Sequence, residues 1–122
     1  MRGARVARVS PAGTVLDSAP ITVAPNGEAE AIAGGQNGSL AIWKEYSGTT
    51  AKRYAERVDP NGVVQGGPTE LEVSQDEPAA VSNGVVYLVA WRASNAIRAA
   101  RLGANGQLLD STPIEIASTS TA

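Results

Sequence analysis

Two stretches near opposite ends of the chain, "ARVSPAGTVLDSAPITVA" (residues 7–24) and "ARLGANGQLLDSTPIEIA" (residues 100–117), are nearly the same text. A third copy, "ERVDPNGVVQGGPTELEV" (residues 56–73), lies between them and aligns Arg8 with Arg57 and Arg101, and Gly13 with Gly62 and Gly106. A second pattern fills the intervals. "EAIAGGQNGSLAIWKEY" aligns without a gap on "PAAVSNGVVYLVAWRAS", so that Trp91 falls 48 residues after Trp43. A period of this length confines the chain to a propeller, a solenoid or an array, in which each repeat needs a neighbour to bury its apolar face.

Each repeat reads as four short strands. The first is rich in small residues ("EAIAG", "PAAVS"), and the second is apolar on both faces ("LAIW", "YLVAW"), as a strand covered on both sides would be. The third is "AKRYAERV" or "AIRAARL". The fourth, "VVQGGPTELEV" or "QLLDSTPIEIA", contains a proline that bends it or holds it at a sheet edge. Asn-Gly pairs at Asn37, Asn61, Asn83 and Asn105 mark hairpin turns, and no capped helical stripe competes with them. The expected class is all-β, built from β-propeller blades, which are four-stranded antiparallel meanders.

"PAAVSNGVVYLVAWRAS" followed by "IRAARLGANGQLLDSTPIEIA" resembles the blade repeat of secreted and cell-surface bacterial β-propeller proteins. That repeat runs from a small-residue strand through an Asp/Asn-Gly turn to Y-L-V-x-W, then a third strand ending A-R-V, then x-x-G-x-x-L-D and P-I-x-I. The first full unit departs from it, with Gln65-Gly66 in place of the Leu-Asp pair and no Tyr in "SLAIW". The resemblance implies an extracellular or cell-surface location. It divides the chain into a half blade at 1–26, a blade at 27–74 and a blade at 75–122. Two and a half blades do not close a ring, so the expectation is a partial propeller completed by self-association into a homo-oligomer, with residues 1–26 available for strand exchange.

Recurrence at equivalent positions marks Trp43 and Trp91 as core, and two-residue alternation adds Tyr87. Tyr46 and Tyr54 are expected to be accessible. Arg8, Arg57 and Arg101 read either as a ring of anion-binding groups or as hairpin partners of carboxylates, Arg8 with Asp17 and Arg101 with Asp110.

In a meander, the first-to-second and third-to-fourth turns emerge on one side, and here they are short. The second-to-third turns and the links between blades emerge on the other, and here they are charged and varied. Loops on a rigid scaffold carry function, so the candidate ligand residues are Glu28, Lys44, Glu45, Tyr46, Asp76, Glu77, Arg92 and Asn95.

Catalytic signals are absent. The chain has no histidine and no cysteine, which removes the commonest general base, the thiol nucleophile and the usual soft metal ligands. No calcium-loop or phosphate-cradling motif is present, so neither a cofactor nor a metal is expected. A net charge of −2 offers nothing to nucleic acid or an anionic membrane. No apolar run reaches the ~18 residues of a membrane span, and none of signal-peptide length follows the basic start.

The favoured reading is a non-catalytic propeller-type module presenting its charged loop face to a glycan or protein ligand. One alternative is a structural segment of a larger propeller with no ligand of its own. Another is an enzyme whose carboxylates, among them Glu28, Asp76 and Glu77, converge only in an assembled ring.

Overall fold

The computed structural model describes residues 3–35, 37–72 and 77–118. All regular structure among them is β-strand, as the repeat text implies. The strands are β1 (Ala4–Val6), β2 (Ile21–Ala24), β3 (Glu28–Gly35), β4 (Gly38–Ser47), β5 (Thr50–Val58), β6 (Val64–Leu71), β7 (Ala79–Ser82), β8 (Tyr87–Ala93), β9 (Ala96–Leu102) and β10 (Ile114–Ser118). They form three antiparallel sheets, β1-β2, β3-β4-β5-β6 and β7-β8-β9-β10. The sheets do not close on themselves.

The four-stranded sheets are simple meanders because every connection within them is a hairpin. Ala33 pairs with Leu40 in the second sheet and Val81 with Leu88 in the third, so the registers repeat as the sequences do. The turn before β4 requires a glycine. Gly38 has φ 116°, and a Cβ there would lie 2.4 Å from the Val58 carbonyl oxygen.

The fourth strands begin later than the sequence pattern predicts in two of three repeats. In the third sheet, Leu108 makes only an isolated bridge to Leu102, and the ladder resumes at Ile114. The cause is the Leu-Asp pair. Asp110 accepts the backbone N–H of Arg101 at 2.9 Å, and Asp17 accepts that of Arg8 at 2.7 Å. These carboxylates occupy the amides that a continuing ladder would use. The middle repeat has Gln65 and Gly66 there instead, and its ladder runs on from Val58–Val64 through Arg57–Gln65.

Two cores lie between the sheets. Leu40, Ile42, Ala55 and Leu71 of the second sheet meet Tyr87, Val89, Trp91 and Leu102 of the third. On the other side, Trp43 packs with Ala4 and Ala24. Strand alternation explains the division: Leu40 and Ile42 point one way, Trp43 the other. The expectation that Trp43, Trp91 and Tyr87 are core therefore holds. Tyr54 does not lie open as expected. It stacks on Trp43 with centroids 5.8 Å apart and is partly buried.

The second strand of the middle repeat is covered on both faces along Leu40–Trp43. In the third sheet only one face of β8 is covered, since Leu88 and Arg92 alternate outward.

Candidate ligand-binding loop face

Antiparallel pairing of β3 with β4 sets Glu28 opposite Lys44. The Lys44 ammonium lies 3.7 Å from Glu28 Oε2 and 3.9 Å from Glu30 Oε2, and 5.1 Å from the centroid of the Tyr46 ring. Contact with Tyr46 holds the Lys44 pKa above the usual lysine range, with Glu30 and Glu28 adding to the effect against partial desolvation. Glu45 accepts the indole N–H of buried Trp43 at 3.1 Å. Three candidate residues thus belong to one cluster on the middle sheet, Glu28, Lys44 and Tyr46, while Glu45 lies with Trp43 on the opposite face of β4. Tyr46 is 56% exposed.

The remaining candidates are placed elsewhere. Arg92 ends β8 on its outward face, and Asn95 sits in the exposed turn between β8 and β9, where Ser94 takes φ 44°. Glu77 is exposed just before β7, and Asp76 lies outside the described residues.

Beneath the cluster lies a buried ion pair that the sequence pattern did not announce. Arg53 Nε donates to Glu30 Oε1 at 2.8 Å, and Arg53 Nη2 to Glu30 Oε2 at 3.2 Å. Their side chains are only 4% and 3% exposed. The pair fixes β3 against β5 across β4, beneath Lys44. Beside it, a groove of about 390 Å³ opens between the two-stranded sheet and β3, lined by Ala4, Val23, Glu30, Ala31, Ile32 and Ile42 among others. It exists because the first sheet has two strands where its neighbours have four.

Arg8 and Arg101 prove to be hairpin partners of carboxylates. Arg8 Nη2 donates to Asp17 at 2.6 Å and Arg101 Nη2 to Asp110 at 2.8 Å. The guanidinium hydrogen bonds hold both carboxyls below the usual aspartate range. Arg57 has no such acid and donates instead to the Asn37 carbonyl. Asp59 of the middle repeat serves its own turn, accepting from the N–H groups of Asn61 and Val63 at 2.9 Å each.

Glu56 is the other surprise. It is 3% exposed, and neither carboxylate oxygen has a hydrogen-bond partner among the described residues. Burial pushes its carboxyl pKa up. A raised native pKa means that the protonated form is favoured, so Glu56 is best tolerated below the unfolded value of about 4.3 and costs stability as pH rises through its native value. Alanine occupies the aligned position in the third sheet, as buried Ala100. Glu56→Ala should therefore stabilise the chain increasingly as pH rises from 4 to 7.5. Urea unfolding at the two pH values checks this, and a pH-independent difference would refute the assignment.

No group of three or more acidic, histidine or cysteine side chains that could hold a metal occurs among the described residues. No family model, curated protein or solved structure matches the chain.

Proposed function

We propose that the chain is a non-catalytic propeller-type module, its sheets acting as blades, that presents the loop face around Tyr46 to a glycan or protein ligand at the cell surface or outside the cell. The observation that carries this reading is the state of the aromatic residues. Trp43, Trp91 and Tyr87 are buried and Tyr54 is stacked, whereas Tyr46 is largely exposed beside the Lys44 ammonium and its partner Glu28. A flat apolar face flanked by charges of both signs suits a sugar ring with its hydroxyls or a polar peptide segment.

The opposite side supports the same assignment. There two of the turns make contacts between sheets, where Arg8 reaches the Pro60 carbonyl and Thr69 reaches the Gly106 carbonyl. The enzyme alternative has less to work with, because Glu28 is paired with Lys44 and no close pair of unpaired carboxylates stands at this site among the described residues.

Titration with a panel of defined neutral and acidic oligosaccharides and with polar peptides, followed by calorimetry, tests the reading. Saturable binding is expected for at least one class. Tyr46→Ala should weaken it at least tenfold while changing stability by no more than about 0.5 kcal/mol. Binding indifferent to Tyr46 would overturn the site. No binding across the panel would favour a purely structural segment, a reading that the uncovered faces at both ends of the stack also suit.

A further inference from the structure

The two junctions between sheets share a turn glycine seated against an arginine side chain of the preceding sheet, although the arginine donates to that turn only at the first. At the first, Arg8 holds Asp17 through Nε and Nη2, while Nη1 reaches forward to the Pro60 carbonyl of the next turn at 3.0 Å. The glycine of that turn, Gly62, lies under the same side chain. A Cβ on Gly62 would sit 3.0 Å from Arg8 Nε and 3.1 Å from Ile21 Cδ1. At the second, Arg57 occupies the arginine position and Gly106 the glycine position. A Cβ on Gly106 would sit 3.3 Å from Arg57 Cβ, and Thr69 donates to the Gly106 carbonyl at 3.0 Å.

The chain carries both halves of a third such junction, at its two ends. On the last sheet, Arg101 holds Asp110 through Nε and Nη2, and Nη1 has no partner among the described residues. Arg101 borders a hollow of about 280 Å³ lined by Val81, Ser82, Asn83, Val86 and Leu88. On the first sheet, Gly13 stands at φ 88° with nothing within 4 Å of where a Cβ would be. Its turn contains Pro11, aligned with Pro60.

Burial tells the same story position by position. Val58 and Leu102 are 3% and 0% exposed, but Val9, their counterpart on the first sheet, is 59% exposed. Leu40 is fully buried against the third sheet, whereas its counterpart Leu88 is 37% exposed. Each end lacks the neighbour that its repeats possess.

We infer that a second copy of this chain supplies that neighbour: the outer face of β7–β10 docks on the front of the two-stranded sheet in another copy, with Arg101 against the Pro11–Gly13 turn and Leu88 covering the Val9 side. The contact is heterologous, each copy using a different face. The inference rests on reading the sheets as stacked blades and is independent of any ligand at Tyr46.

Sedimentation or light scattering of the full chain over a concentration series tests it, together with Val9→Asp and Leu88→Asp. Both substitutions fall on exposed positions, and urea melts verify that the variants fold. The wild type should rise above the 12.5 kDa monomer mass with concentration. Each variant alone should be monomeric. An equimolar mixture should reach twice the monomer mass and stop, because one variant keeps an intact front face and the other an intact back face. Arg101→Ala should weaken the wild-type association at least tenfold.

A wild type that stays monomeric, or a mixture that does so, overturns the inference. If that monomer still melts cooperatively, the stacked-sheet reading survives the loss. A chain with no cooperative transition would remove both.

Discussion

Leu40→Ala is expected to lower the stability of the chain by about 3–4 kcal/mol, the middle of the range for buried leucine truncation. Leu40 is completely buried, on the strand whose two faces are both covered, and shares a core with Tyr87, Val89 and Leu102 of the next sheet. The surrounding residues belong to two hydrogen-bonded ladders and cannot relax into the gap without disturbing both registers. Leu88→Ala is the natural comparison, since Leu88 holds the same repeat position. At concentrations low enough to keep the chain monomeric it should cost no more than about 1 kcal/mol, the scale of partly exposed apolar surface. Equal losses at the two positions, read from urea unfolding, would show that the apparent difference in burial is not real.

The second large effect concerns Glu30 and Arg53. Truncating one member of a buried, hydrogen-bonded ion pair typically costs about 3–5 kcal/mol. Glu30→Ala should fall in that range, because the guanidinium of Arg53 would lose its bidentate acceptor. Replacing both behaves differently. Ile97 occupies the position of Arg53 in the third sheet, so an aliphatic residue is compatible with the strand. The double variant Glu30→Ala/Arg53→Ile should recover at least about 2 kcal/mol relative to the sum of the single effects. Additive losses in the four-member cycle would show that the two side chains act independently.

Much of this architecture is legible in the text of the chain, and the reasons are local. Alternation and recurrence place Trp43, Trp91 and Tyr87 without ambiguity, because an aromatic at one position of a repeating strand meets the same surroundings each time. The Arg8–Asp17 and Arg101–Asp110 pairs are legible because both partners belong to one hairpin. The cluster of Glu28 with Lys44 and Tyr46 is only half legible. Loop placement marks the residues as candidates, while the ion pair depends on which residues of β3 and β4 face each other.

Glu30–Arg53 and Glu56 escape the text altogether. A charged residue on a strand is ordinarily taken to face water, and the coverage that buries these three comes from sequence-distant chain. Tyr54 fails for a more local reason, its ring being covered by Trp43, its cross-strand partner in the β4–β5 hairpin. The late start of β10 escapes for a different one: a side-chain carboxylate competes for backbone amides, and a hydrophobic pattern carries no trace of that competition.

The turn glycine resting under an arginine has a consequence for how such a chain changes length. The contact asks little of its partner beyond a bare Cα beneath the arginine side chain, and it serves twice although the repeats differ at most other positions. Duplication or loss of a whole repeat therefore presents each new neighbour with a surface already suited to it. The number of sheets is a quantity that selection can vary in single steps, with the interface chemistry held constant.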